Sequence, residues 1–207
     1  MLYKIKRQLI TSAKAAEMAA RMDDLYIPTK HVPDAASPLS PAFEMPFCKI
    51  HHQLTPQVAR IFGVDLRPTY NYGRIYQTGD TLPFHFDKDE CEYSITVNLS
   101  KTGEVWPFYV NPVGDSRQDF IDNIETFEPN PKTTVQCMIE PGDAVVYQGF
   151  QVYHWRDPLP EGPHHQMFFH WVDVNGPHAN LAHNHRLVGS DARKKFKYAI
   201  DHDPISL

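Results

Sequence analysis

Pro83-Phe84-His85-Phe86-Asp87-Lys88 places an imidazole and a carboxylate two positions apart at the end of a short extended stretch. Residues i and i+2 of a strand point to the same face. His85 and Asp87 are therefore expected to aim at one point, with Phe86 turned away into packing. Two imidazoles and one carboxylate are the donor set of the facial triad that holds non-haem Fe(II) and leaves positions open. The third donor has to come from another strand, and His154 suits that role. Gly142-Asp143 makes a turn, Ala144-Val145-Val146-Tyr147 reads as a strand, and Val152-Tyr153-His154-Trp155 as the next. The His-x-Asp pattern alone is cheap in a chain with 12 His and 25 Asp+Glu, and Asp201-His202-Asp203 shows it. Its weight comes from what surrounds it.

Outward from these positions, short strand patterns recur from Pro68 onward: Tyr70–Gln77, Glu92–Ser100, Glu104–Asn111, Thr133–Ile139, Ala144–Tyr147, Val152–Trp155 and His164–Val174. Many short strands with Gly, Pro and Asp turns between them indicate a sandwich or jelly roll. Tyr93, Ile95, Val97 and Leu99 share one face of their strand, and Ser94, Thr96 and Asn98 the other. That polar face either lines a pocket or meets solvent, and periodicity alone does not decide which.

Ahead of the sheet the pattern is helical. Ser12 can cap a helix to about Met22, with Ala15, Ala16, Met18, Ala19 and Met22 as its apolar face. Thr55-Pro56 and Gly63 have the start and stop signature of a second, short helix. Between them Pro28, Pro33, Pro38, Pro41 and Pro46 rule out regular structure, leaving a substrate lid or a connector. Ser116–Ile124 reads as a short inserted helix, and Asp191–Ile200 as a C-terminal one. The expected whole is one domain over residues 1–207, mainly β with flanking helices. Residues 1–66 hold the N-terminal helices and Pro-rich loop, 67–175 a jelly-roll core of the double-stranded β-helix, cupin-like kind, and 176–207 a tail with a short helix.

Composition narrows the class. At 207 residues and 42% hydrophobic, the chain fits one domain with a sizeable core. No apolar run approaches the ~20 residues of a membrane-crossing helix. The charged start Lys4-Ile5-Lys6-Arg7 is followed by no long apolar region, so no signal peptide is read. Cys48, Cys91 and Cys137 are far apart and odd in number, as reduced thiols of a cytoplasmic protein would be. A net charge of −5 offers no electrostatic footprint for nucleic acid, and the one basic cluster, Arg193-Lys194-Lys195 with Lys197, reads as a solvated helix face.

Taken together, Tyr76-Gln77-Thr78-Gly79-Asp80 and Pro83-Phe84-His85-Phe86-Asp87 resemble the Tyr-x-x-Gly…His-x-Asp segment of Fe(II)/2-oxoglutarate dioxygenases, prolyl-hydroxylase-like and AlkB-type members above all. Pro141-Gly142-Asp143-Ala144-Val145-Val146-Tyr147 and His154-Trp155-Arg156-Asp157-Pro158 look like the family's second block. The resemblance spans Tyr70 to Asp173. It implies Fe(II) on His85, Asp87 and His154, with 2-oxoglutarate as cosubstrate and O2 as oxidant. The implied reaction is hydroxylation of a peptidyl (prolyl-like), amino-acid or small-molecule substrate. Halogenating relatives lack the carboxylate, so Asp87 favours hydroxylation or demethylation.

The family's basic residue for the far carboxylate of 2-oxoglutarate stands about ten positions past the distal His, and here 164 − 154 = 10 falls on His164. His164, Gln166, Phe168 and His170 share a face, while His165, Met167, Phe169 and Trp171 look like core packing. Three readings stay open: His164 binds as imidazolium, Arg156 or Arg74 reaches in, or the cosubstrate is another molecule. A composite site of Tyr76 and His164, with Arg156 and Gln166 next, is the favoured expectation. Two other classes stand beside it. One is a cupin-like metalloenzyme of other chemistry, for which His183-Asn184-His185 is the only His-x-His pair; the other is a catalytically silent jelly-roll binding module.

Overall fold

β-Branched and aromatic runs bounded by turn residues form ten strands in the computed structural model, which describes residues 1–25, 42–44, 47–112, 122, 126, 128–182, 201 and 203–207. They are β1 (Tyr3–Lys6), β2 (Ala42–Glu44), β3 (Leu66–Tyr76), β4 (Leu82–His85), β5 (Tyr93–Asn98), β6 (Phe108–Asn111), β7 (Val135–Cys137), β8 (Ala144–Tyr147), β9 (Tyr153–Arg156) and β10 (His164–Asp173). Two helices accompany them, α1 (Ser12–Leu25) and α2 (Cys48–Phe62). All pairings are antiparallel, in a six-stranded sheet β1-β8-β5-β10-β3-β2 and a four-stranded sheet β4-β9-β6-β7. This is the expected mainly β jelly roll with flanking helices.

The alternation of β5 and β10 explains how the layers stack. Ile95, Val97, Met167, Phe169 and Trp171 pack with Ala15, Met18 and Met22 of α1 and Ile50, Leu54 and Val58 of α2 in one cluster. Burying each large side chain there contributes about 1.5–3 kcal/mol. The apolar face of the larger sheet thus belongs to the helices. Its opposite face, with Ser94, Thr96, Asn98, Gln166 and His170, is equally buried. It is turned towards the smaller sheet, whose Phe108 and Val110, with Val152 just before β9, close a second cluster with Val145 and Tyr147.

Several local readings change. The cap of α1 is Thr11, whose Oγ1 accepts the Lys14 N–H at 3.1 Å; Ser12 begins the helix instead. Helix α2 starts seven residues before the expected Thr55 cap, at Cys48, and keeps Pro56 inside it. An interior proline costs about 3 kcal/mol, which burial of Cys48, Ile50, His51 and Leu54 offsets. Thr55 bonds back to His51 O at 2.9 Å and accepts the Trp171 indole N–H at 2.9 Å. Gly63 does end the helix, at a left-handed φ of 76° that glycine adopts without strain. β1 was not foreseen, yet it pairs with β8 along the edge of the larger sheet.

His165 is no apolar core residue either. Its Nδ1 meets Ser100 Oγ at 2.7 Å and its Nε2 meets Asp23 Oδ1 at 2.9 Å, tying the end of α1 to the sheet. Most of the Pro-rich 28–46 segment, the Ser116–Ile124 and Asp191–Ile200 helices, the His183–His185 pair and the basic 193–197 cluster lie outside the described residues. No described helix is long and apolar enough to cross a membrane, and Cys48, Cys91 and Cys137 are free and buried.

Candidate metal centre and the pocket behind it

β4 and β9 pair so that His85 stands opposite His154, their ring centroids 4.3 Å apart. Asp87 is not on the strand with His85, as the i, i+2 reading had it. β4 ends at His85, and the Asp87 N–H is held by Gly149 O at 3.0 Å in the turn before β9. The carboxylate nevertheless comes back to both rings: Oδ1 lies 3.5 Å from His85 Nε2 and 3.5 Å from His154 Nε2. Phe86 turns away, as expected, and packs on Tyr153 at 4.1 Å.

Each imidazole is oriented by a backbone carbonyl. His85 Nδ1 donates to Pro83 O at 2.7 Å, and His154 Nδ1 to Val152 O at 2.8 Å. A carbonyl only accepts, so the ring proton sits on Nδ1 and the Nε2 lone pair is left for a metal, the usual outer support of a ligating histidine. The donor atoms of His85, Asp87 and His154 all lie within 4.8 Å of one another. Two neutral nitrogens and one carboxylate oxygen, each aimed by a hydrogen bond, fit a divalent first-row metal.

The electrostatics match. Burial resists ionisation of Asp87, but His154, His85 and His170 outweigh it and hold the carboxyl well below its usual range. Burial likewise opposes charge on His85, and the Asp87 bond overcomes it, raising the pKa. His154 goes the other way, lowered by burial and by His85 against the pull of Asp87. One carboxylate between two rings supports one proton, and a cation would replace it.

Further along β9, two residues from His154 and on the same face, Arg156 is fully buried. It donates through Nη1 to Trp106 O and through Nη2 to Gln166 Oε1 at 3.1 Å, with its guanidinium 4.4 Å over the Trp106 ring. No acidic side chain pairs with it among the described residues, and its Nε has no hydrogen-bond partner. Burial brings its pKa down to about 10, which still leaves it charged at neutral pH. Tyr76, beside Arg74 and Arg156, is pushed by burial to about 12 against the pull of both.

With no anion beside it, His164 is held away from its charged form. Its Nε2 meets the same Gln166 Oε1, at 2.8 Å, and that oxygen can only accept, so Nε2 carries a proton and donates it. Burial first, and then Arg156, pull its pKa to about 3 against the Gln166 bond. Gln166 in turn donates to Thr96 Oγ1. The buried guanidinium of this region is thus Arg156 on β9, and Gln166 Oε1 accepts from both it and His164.

This has a consequence for stability. The unfolded chain takes up a proton on His164 near the ordinary value of 6.5, and the folded chain refuses it down to about 3. The unfolded state then binds more protons, so stability falls with falling pH, by about 1.4 kcal/mol per pH unit between roughly pH 6 and 4 for this one group. In urea titrations at pH 7, 6 and 5, His164→Gln is expected to lose less stability on acidification than the wild type. Equal losses would count against a neutral, buried His164.

Sequence reading passed over the groups behind Asp87. Ser94 Oγ lies 3.3 Å from Asp87 Oδ2 and 2.8 Å from His170 Nδ1, and Tyr70 OH lies 3.1 Å from Cys91 Sγ. Burial lowers the His170 pKa to about 4 and keeps the ring neutral. Asp87, Cys91 and His170 also bring donor atoms within 4.8 Å of one another. The available signal was the polar face Ser94-Thr96-Asn98, which faces the site rather than solvent.

No family model and no curated protein sequence matches the chain. Solved structures do. SnoN, the non-heme alpha-ketoglutarate-dependent epimerase from nogalamycin biosynthesis, superposes with a TM-score of 0.64 at 13% identity, over 83% of this chain and 78% of that one. HygX from Streptomyces hygroscopicus, with nickel, 2-oxoglutarate and hygromycin B bound, gives 0.62 at 15% identity over 84% and 83%. A prolyl-4-hydroxylase from Pseudomonas putida gives 0.57 at 12% identity over 81% and 91%. The fold of this chain is that of the Fe(II)/2-oxoglutarate oxygenases.

Proposed function

We propose that the protein is a non-haem Fe(II)- and 2-oxoglutarate-dependent oxygenase that hydroxylates a small-molecule, amino-acid or peptidyl (prolyl-like) substrate. One observation carries the reading: three converging donors, His85, Asp87 and His154, stand beside a buried arginine, two residues along β9, that no carboxylate among the described residues neutralises. A buried charge without a partner is costly. Its persistence beside a metal-donor set supports an anionic ligand that bridges the two.

His85, Asp87 and His154 would hold the metal. With 2-oxoglutarate and O2 bound, Fe(II) supplies oxidative decarboxylation coupled to oxidation of a substrate C–H bond. Arg156 would hold the far carboxylate of 2-oxoglutarate, with Tyr76 as a second candidate contact. Two residues of strand separate His154 from Arg156, about 7 Å, which is the reach of a five-carbon keto diacid. Gln166 and neutral His164 hold the guanidinium in place, so the anchor keeps its charge throughout the neutral range. Trp106, Phe168 and Leu159 form an apolar cluster with Tyr76 that keeps water from the carboxylate. SnoN, of the same fold, is an epimerase, so the fold leaves the outcome of the reaction to the substrate.

The test loads the protein anaerobically with Fe(II), adds 2-oxoglutarate, admits air and measures succinate against panels of peptides, free amino acids and glycosidic or polycyclic small molecules. Succinate that rises with one class and vanishes in Asp87→Ala is the expected result. Metal binding without affinity for 2-oxoglutarate would return the protein to a cupin-like chemistry. Binding of neither would leave a silent module.

A further inference from the structure

The oxygen of Asp87 that does not face the histidines is enclosed. Asp87 Oδ1 points at both Nε2 atoms, while Oδ2 faces Ser94 Oγ at 3.3 Å and the Cα of Gly149. A Cβ placed on Gly149 would stand 2.2 Å from Oδ2, 2.7 Å from Cys91 O and 2.7 Å from Ser94 Oγ. The same glycine holds the Asp87 N–H through its carbonyl at 3.0 Å. Any side chain there pushes the carboxylate away from its present seat.

Ser94 has one proton and three neighbours that can take it: Asp87 Oδ2 at 3.3 Å, Cys91 O at 3.2 Å and His170 Nδ1 at 2.8 Å. With the His170 proton on Nε2, the hydroxyl serves a single acceptor and the other two go without. With the proton on Nδ1, His170 donates to Ser94, and the Ser94 proton is released to an oxygen, so two bonds form in place of one. Of the two oxygens the ionised carboxylate is the stronger acceptor. The chain therefore runs from the His170 N–H to the Ser94 hydroxyl, and from the Ser94 O–H to Asp87 Oδ2.

We infer that Ser94, Gly149 and His170 are positioning residues that hold Asp87 to a one-oxygen grip on the metal. The inference rests on the metal site of the proposed function. Its chemical point is the number of open coordination positions. A carboxylate free to rotate takes a metal through both oxygens and occupies a position that cosubstrate or O2 needs. With Oδ2 engaged by Ser94 and walled by Gly149, only Oδ1 is presented. The clamp also joins the ligand elements: the turn carrying Gly149 leads into the strand of His154, so the seat of Asp87 and the approach of His154 are set together.

Co(II) is the probe, bound to the purified full-length chain, with affinity from titration and geometry from its visible absorption. Ser94→Ala and His170→Leu are each expected to weaken Co(II) binding about 10–100-fold, the range of lost outer-shell bonds. Both should move the Co(II) spectrum towards a different coordination number, with the metal-free thermal midpoint little changed. His170→Asn keeps an N–H near the Nδ1 position and is expected to restore affinity and spectrum towards wild type, which a packing role would not predict. Gly149→Ala should give the largest loss. A wild-type affinity and spectrum in both Ser94→Ala and His170→Leu would overturn the inference and leave the metal site standing. No Co(II) binding by the wild type would overturn both.

Discussion

His85→Ala, Asp87→Ala and His154→Ala are each expected to abolish Fe(II) retention, measured as bound iron per chain after anaerobic desalting, while the sheets remain folded by circular dichroism. Each change removes one of three protein donors, and the remaining two cannot define a face of the coordination sphere. The three differ in their side effects. The His85 side chain is about one-third exposed (34%), so its loss leaves no core cavity. His154 is buried against Tyr147 at 4.8 Å and Phe108 at 5.5 Å. Its replacement by Ala therefore also costs about 2–5 kcal/mol, by analogy with other large-to-small core changes. Asp87→Ala adds a third readout: the carboxylate that raises the His85 pKa is gone, so that pKa should fall in the metal-free protein. Stoichiometric iron in all three variants would remove the basis of the proposed function.

Arg156→Met is expected to separate binding from stability. Losing one partner of a buried, hydrogen-bonded charge pair costs about 2–5 kcal/mol, so the anaerobic dissociation constant for 2-oxoglutarate should rise roughly thirtyfold or more. The metal-free protein is expected to respond in the opposite sense. Arg156 is buried without an acidic partner among the described residues, and an apolar chain of similar length relieves that desolvation while His164 still donates to Gln166 Oε1. The thermal midpoint should hold or rise. Arg156→Lys keeps charge but loses the fork that reaches Trp106 O and Gln166 together, so it should recover only part of the affinity. Unchanged 2-oxoglutarate affinity in Arg156→Met would move the anchor elsewhere, with Arg74, whose guanidinium lies 5.4 Å from the Tyr76 ring, as the next site to test.

The candidate metal donors were legible in the sequence because close spacing and a turn motif are local properties. His85 and Asp87 are close along the chain, and Gly142-Asp143 announces the strands that deliver His154. The basic residue was harder to place. Spacing alone led to His164, since distance along the chain from His154 says nothing about which strand faces inward beside it. Arg156 was visible as a same-face neighbour of His154, but its choice over His164 depends on burial and on Gln166 accepting from both.

By itself the sequence determined that short strands dominate and which residues share each face of β5 and β10. Those follow from a period of two, which the chain carries whatever it packs against. Only the tertiary structure decided which face was the interior. Ile95, Val97 and Met167 were drawn to the helices, so the polar Ser94, Thr96 and Gln166 became a buried face turned towards the candidate site. It also decided that Asp87 stands beyond its strand, held by a glycine 62 residues later, and that His164 is neutral. The physical reason is common to these: alternation names two faces without saying what covers them, whereas desolvation and hydrogen-bond partners are set by groups that meet only when distant strands pair.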